Sequence, residues 1–409
     1  MNKRSIYIGD HPLHLNEGTV AGNYVDLDGE RFYKISEAQG MPDFFLSLVS
    51  ASDHWLFISS NGSLSAGRRN AASSLFPYYT VDKIHDFHNL TGSKTVILAE
   101  GQGKKRLWEP FSKESTMLYD ISRNIYKNQS GNKLIFEELN RDLSLSFSYA
   151  WYTSERYGFV RHSKLVNQNA ESCRIDLLDG LQNLLPAGVD PAMQANFSSL
   201  MDAYKRCELH EETKLGIFRL SSIPVDTAEP SESLRVNTVW SEGLKNPLIL
   251  LSSQQVDAFK AGFKLHVETD VKAEKAAYLV NVSFDLTPGS TKEWNLVAEV
   301  NQDAADVAKT LQLLGSGKDL RSLLYEDIAL STEALTRLLA SSDAFQLSGD
   351  ELGSSRHLTN VLFNVMRGGL FDDNYTLMVD DFLNFIPLFS KKQVDKFQSI
   401  LGTESGTIG

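Results

Sequence analysis

A few short stretches of this sequence carry side chains whose types and spacing bear on chemistry. Gly62-Ser63-Leu64-Ser65-Ala66-Gly67-Arg68-Arg69 spaces two glycines like a phosphate-cradling loop. The Walker pattern needs Lys and then Ser or Thr after the second glycine, and Arg68 and Arg69 stand there instead. Ser73, Ser74 and Pro77 follow where a phosphate loop needs a helix. The stretch reads better as a hairpin, with Asn61-Gly62 at the turn and Gly67 at a bulge. A further reading is that the arginine pair offers fork-shaped donors to an anion or to sugar hydroxyls.

His85-Asp86-Phe87-His88 places metal-capable groups close together, but no third or fourth ligand stands nearby in sequence. His210-Glu211 opens like a metalloprotease motif, yet Lys214 takes the place of the second histidine. Asp372-Asp373-Asn374 fails as a calcium loop, because Leu377 and Leu383 occupy the required glycine and glutamate positions. No metal and no cofactor are therefore expected. There is no GxSxG, and neither Cys173 nor Cys207 sits in a nucleophile context, so no catalytic residue is assigned. Carboxylates are plentiful, and none is singled out as half of a glycosidase pair. The aromatic side chains say more. Trp55, Tyr78, Tyr79, Trp108, Trp151 and Trp240 lie in or beside strand-like segments. Sugar CH faces pack on such rings, although a large sandwich also needs aromatic core.

The elements that must position these groups are mostly strands. Phe44–Val49, His54–Ile58 and Thr95–Ala99 are short apolar runs bounded by turn residues, and Leu143–Tyr149 alternates apolar and polar. Further strands are expected over Tyr157–Val166, Cys173–Leu178, Leu215–Leu220, Leu234–Trp240, Phe263–Thr269, Ala277–Asp285 and Glu293–Val300. Many strands without alternating helices indicate a mainly β fold, a large antiparallel sandwich. Phe197, Leu200, Met201 and Tyr204 suggest a helix within 187–206. After residue 301 the period changes to three and four, through Val307, Leu311, Leu314, Leu320, Leu324, Ile328, Leu335 and Leu339. Leu358, Val361, Leu362, Val365 and Met366 form another stripe that Gly368-Gly369 can terminate, and Ser390 with Gln393 looks like a capping box for a last helix. The expected domains are a sandwich over 1–301, helices over 302–401 and a frayed tail over 402–409.

Composition sets the outer limits. The 409 residues are 42% hydrophobic and 22% charged, which suits a soluble globular chain with a substantial core. The balance of 40 basic against 52 acidic residues gives −12, which disfavours nucleic acid and anionic membranes as partners. Apolar runs such as Pro247–Leu251 are too short to span a bilayer. The basic start MNKR is not followed by an apolar stretch, so no signal peptide is expected and a reducing cytoplasm is the expected compartment.

Several of these segments together resemble a known family. Residues 55–79, WLFISSNGSLSAGRRNAASSLFPYY, are similar to a stretch near the start of the cellobiose-phosphorylase-like glycoside phosphorylases, where a polar hairpin carries a Gly-Arg pair. Trp108-Glu109-Pro110 resembles the Trp-x-Pro stretch that follows there. Arg161–Asn183 looks like the sandwich body, and Arg356–Asp373 resembles the helical connector. The resemblance implies a β-supersandwich joined by linker helices to an (α/α)₆ barrel that holds the catalytic acid and phosphate site. It also implies that this chain ends about where that barrel begins. The chain is then expected to support binding of an oligosaccharide or β-glucan, with no catalysis alone. By resemblance, Arg68, Arg69, Asn70 and Trp108 are the candidate sugar contacts. Two other readings stand beside this: a structural domain that forms a homodimer, and a self-sufficient glycosidase.

Overall fold

The computed structural model describes residues 6–14, 18–79, 81–101, 103–223, 233–346, 348–366, 377–388, 390–401 and 407–408. Its chain divides into two compact units, residues 1–48 with 52–329, and residues 49–51 with 330–409.

The first unit is an antiparallel sandwich. Its larger sheet has eleven strands. The central ones are Val236–Glu242, Thr291–Gln302, Gly158–Asn167, Leu145–Ser154, Leu134–Asn140 and Ile121–Asn128. The smaller sheet runs Leu248–Ser252, Ala276–Leu286, Cys173–Leu184, Gly92–Gly101 and Lys104–Trp108. A third sheet pairs Phe45–Leu48, His54–Ser59 and Leu64–Arg68. The expected mainly β antiparallel class is what the chain forms.

Alternation explains why these segments pair. Along Leu145–Ser154 the side chains of Leu145, Phe147, Tyr149 and Trp151 all face the core and are buried. They meet Ile97, Ile175, Leu177 and Leu181 from the smaller sheet, in one continuous apolar layer. Each fully buried large side chain there contributes about 1.5–3 kcal/mol of transfer free energy. The outer face of the larger sheet is apolar at Val160, Leu215, Trp240 and Val297. Leu324 and Ile328 of helix Leu320–Ser341 cover it, with Val307 and Leu311 of helix Ala304–Leu314. Asp303 caps the latter helix through a capping box with Asp306.

At the centre of the sandwich lies a charged pair. Arg161 of the larger sheet meets Asp179 of the smaller at 3.0 and 2.9 Å, and both side chains are fully buried. Thr95 and the Trp294 indole each donate to Asp179 at 2.6 Å, and the Tyr149 ring lies 4.7 Å from the Arg161 guanidinium.

Among its described residues the second unit is mainly helical, with a two-residue ladder, Leu377–Met378 with Thr407–Ile408. Leu335, Leu339, Ala344, Leu358, Val361 and Leu362 pack together with Val49. Helix Glu351–Met366 matches the expected stripe, and helix Lys391–Leu401 starts directly after Ser390. Gly368-Gly369, Asp372-Asp373-Asn374 and most of the tail lie outside the described residues. Among the described residues no helix is long and apolar enough to cross a membrane.

Two local expectations are corrected and a third is met with a difference in which face is buried. Phe263–Thr269 is no strand: the amide and carbonyl of His266 bond to the side chain of Gln255, and Glu268 donates to Ile249, so the segment lacks a ladder partner. The hairpin register from Trp55↔Gly67 to Ile58↔Leu64 runs unbroken, so Gly67 marks no bulge. Helix Pro191–Tyr204 is present and capped by Asp190, but it kinks at Phe197, and Phe197 and Leu200 face solvent while Met201 is buried.

Asp179→Asn leaves Arg161 buried without its countercharge. Urea titration should show a loss of about 3–5 kcal/mol. The double variant Arg161→Met with Asp179→Asn should recover part of that loss, because no uncompensated charge remains.

Candidate aromatic and arginine surface

The hairpin His54–Ser59 to Leu64–Arg68 turns at Asn61-Gly62, as expected, with Gly62 at φ +92°. Its inward side chains, Leu56, Ile58, Leu64 and Ala66, join the sandwich core. The period of two then sends Trp55 and Phe57 to the opposite face. There Phe57 lies 5.4 Å from Phe45 and 5.8 Å from Trp55, and Trp55 is 5.5 Å from Tyr78, ring centre to ring centre. The Phe45–Phe57 and Phe57–Trp55 planes are each tilted by 32°, and Tyr78 stands edge-on at 82°. The result is a strip of four adjacent rings, partly open to solvent.

Gly67 makes this strip possible. A side chain there would run into the Ser73 carbonyl and would approach the Trp55 ring to 2.5 Å. With glycine in place, the segment from Ser73 to Tyr79 folds back along the strand. Pro77 accepts from the Ser65 hydroxyl at 2.6 Å, and the same hydroxyl accepts from Tyr79 N–H at 3.1 Å. Tyr78 is thereby held beside Trp55.

The three hairpin residues expected to contact sugar separate by role. Arg68 donates to Asp53 at 2.6 Å and to Glu299 at 2.8 Å, and its side chain is 20% exposed. It fastens the hairpin to the end of strand Thr291–Gln302. Arg69 follows in the left-handed region at φ +60°, which turns its side chain outward; it is 82% exposed and reaches Asp53 at 3.2 Å. Asn70 is exposed, and its carbonyl accepts from the Trp55 indole at 3.3 Å. Asn70 therefore borders the aromatic strip with the exposed Arg69 next to it in sequence, while Arg68 is held between two carboxylates. Trp108 lies elsewhere. Its ring is fully buried, and its indole N–H donates to Glu138 at 2.7 Å. Sequence reasoning missed Phe45 and Phe57 as partners of Trp55, although their period-two placement on paired strands was the available signal.

The Arg68 cluster sets the charge state of its neighbours. Burial would raise Asp53, but Arg68 and Arg69 hold its carboxyl below the usual range. Burial pushes Glu299 up, against the pull of Arg68. Next to them, burial and the Arg68 charge depress His54 to about 3, so its ring is neutral at pH 7. His54 packs edge-on against Phe159 at 5.1 Å, and its Nδ1 pairs with Ser52 at 2.9 Å. The other sequence histidines serve local bonds: His85 Nδ1 pairs with the Ser59 hydroxyl at 2.8 Å, and His210 Nδ1 with Thr213 at 3.0 Å. Among the described residues no three His, Cys, Asp or Glu groups converge on a point that could hold a metal ion. Cys173 and Cys207 are free and buried.

The depressed His54 gives a pH signature. Its ordinary value is 6.5, so below that pH the unfolded chain takes up a proton the folded chain refuses. Stability from this group is full above pH 6.5 and is lost as pH falls toward 3, with a slope of up to about 1.4 kcal/mol per pH unit. Urea titrations above the ordinary Asp53 value of 3.8 should show this slope in the wild type and a flatter one in His54→Gln.

No protein-family model matches this sequence, and no curated protein matches it. Among solved structures, the fold is similar to a polysaccharide lyase at 9% identity and a TM-score of 0.37, over 67% of this chain and 34% of that one. It is similar to a candidate kojibiose phosphorylase from the human microbiome at 11% identity and a TM-score of 0.38, over 68% and 32% of the two chains. A GalM/aldose epimerase homologue from C. elegans gives 10% identity and a TM-score of 0.36, over 64% of this chain and 100% of that one. This chain spans about a third of the length of the first two. These likenesses concern the sandwich and nothing finer.

Proposed function

We propose that this chain is a carbohydrate-binding sandwich that holds an oligosaccharide or β-glucan on the strip formed by Phe45, Phe57, Trp55 and Tyr78. The observation that carries the reading is the strip itself. Phe45, Phe57 and Trp55 are spaced on the scale of one sugar unit with neighbouring planes tilted by 32°, so successive pyranose CH faces can stack along them, with the Tyr78 ring standing edge-on at the end. Asn70 borders the rings and, with the exposed Arg69 next to it in sequence, supplies donors and acceptors for the equatorial hydroxyls. Arg68 and Gly67 act as positioning residues, through the Asp53–Glu299 clamp and the room left for Trp55.

In this reading the chain binds and presents its ligand, and the bond-breaking groups belong to a catalytic (α/α)₆ barrel outside it, as the family resemblance implies. The sandwich residues 1–301 then form the binding domain, and the helices of 302–401 form its connector.

Affinity electrophoresis in gels containing soluble β-glucans, with calorimetry on cello-oligosaccharides, tests the reading. The wild type should be retarded by at least one glucan. Trp55→Ala should weaken binding at least about tenfold, corresponding to about 1.4 kcal/mol. Tyr78→Ser, at an exposed position, should weaken it several-fold without changing the circular dichroism spectrum. No retardation across a panel of β- and α-glucans, or binding untouched by both substitutions, contradicts the reading.

A further inference from the structure

We infer that the chain has a second, separate site: a cleft beside the Trp108–Ser112 loop that takes a short neutral saccharide of one or two rings. It shares its ligand class with the aromatic strip and none of that strip's residues, so it rests on the carbohydrate reading but can fail independently of it. The cleft has a volume of about 520 Å³, within the range of small-molecule sites.

The loop that walls it is held with unusual force. Glu138 is fully buried and accepts three donors at 2.7 Å each: the Trp108 indole, the Phe111 amide and the Arg123 Nε–H. Arg123 also donates to the Ser112 carbonyl at 2.6 Å. Between these anchors Phe111 is fixed at φ +66°, a region bulky side chains avoid at a cost of about 1–3 kcal/mol. That conformation puts the Phe111 ring on the cleft wall, edge-on to Tyr149 at 5.2 Å. The Phe111 ring thus packs on the core at Phe136, Phe147 and Tyr149 and is held on the cleft wall at the same time.

The facing wall is polar. Asn61 donates to Asp43 at 3.0 Å and to the His85 carbonyl at 2.9 Å, which fixes Asp43 and leaves its other oxygen without a bond among the described residues. His88 lines the same cleft, and its Nε2 is buried with no partner among the described residues. Burial, with Lys113 nearby, holds the ring below the usual histidine range, so the neutral imidazole presents Nε2 to the cleft. Lys113 lines the cleft as an exposed donor and has no partner among the described residues.

The chemistry selects a neutral polyol. Asp43 and Lys113 cancel, and the Arg123 charge is taken up by Glu138, so no net charge calls for an anion. The free Asp43 oxygen as acceptor, Lys113 as donor and the unpartnered His88 Nε2 match vicinal hydroxyls, which both donate and accept. Phe111, with Met41 and Met117, offers an apolar face to the CH side of the ring.

Saturation-transfer NMR and calorimetry of the full chain with neutral hexoses and disaccharides test this, with the His88 imidazole shifts as a direct probe. Saccharide should bind the wild type and move the His88 resonances. Asp43→Asn and His88→Gln should each weaken it at least about tenfold, while Lys113→Gln, at an exposed position, should do so several-fold with the fold unchanged. Trp55→Ala should leave this binding intact. The proposal is overturned if no hexose or disaccharide binds, if the cleft variants bind as the wild type does, or if inorganic phosphate displaces the sugar. Polymer binding lost in Trp55→Ala with no small sugar bound would retain the strip and remove the cleft.

Discussion

Everything in the sandwich is arranged around one buried ion pair. Arg161 and Asp179 come from opposite sheets, and two charges taken out of water at that depth need further partners; the carboxylate finds them, while Arg161 Nε has none among the described residues. Thr95 and Trp294 answer the carboxylate, and Thr95 also accepts from the guanidinium at 3.2 Å. Because each of the four groups sits on a different strand, the network fixes how the two sheets are registered against each other. A slip by one residue would turn Arg161 out of the core and leave Asp179 alone in it. Gly180, next to Asp179, has no side chain because a Cβ there would collide with the Tyr278 carbonyl of the adjoining strand.

The ligand-facing parts are secured to that centre by further carboxylates. The Tyr149 ring covers Arg161 on one side and meets Phe111 on the other. Glu138, two strands from Arg161 in the larger sheet, holds the loop that carries Phe111. Glu299 does the same for the hairpin, through Arg68. Acidic side chains inside the fold thus act as fasteners, answered by arginine, indole, hydroxyl and backbone-amide donors, while Arg69, Asn70 and Lys113 are exposed at the surface.

Much of the fold was legible because buried faces alternate. Leu215–Leu220 and the cores of Thr291–Gln302 and Ala276–Leu286 could be read directly. Leu134–Asn140 could not, since two of its inward residues are Glu138 and Asn140, which look solvent-facing until their partners are known. Ile121–Asn128 is hidden for the same reason by buried Asn124 and Asn128. Phe263–Thr269 reads as a strand because it is apolar in alternation, yet the Gln255 side chain and scattered single backbone bonds satisfy it in place of a ladder. At the surface, residue type indicated the arginine pair, but not which arginine was exposed: one of the two acids that hold Arg68, Glu299, lies 231 positions away in sequence. The two residues differ in backbone conformation, and sequence spacing does not show that.

A crystal of the chain grown with a cello-oligosaccharide tests the central claim most directly. The account predicts sugar rings stacked over Trp55 and Phe57, with a hydroxyl within hydrogen-bond distance of Arg69 or Asn70. Ordered oligosaccharide at another surface, with the four rings untouched, would contradict it.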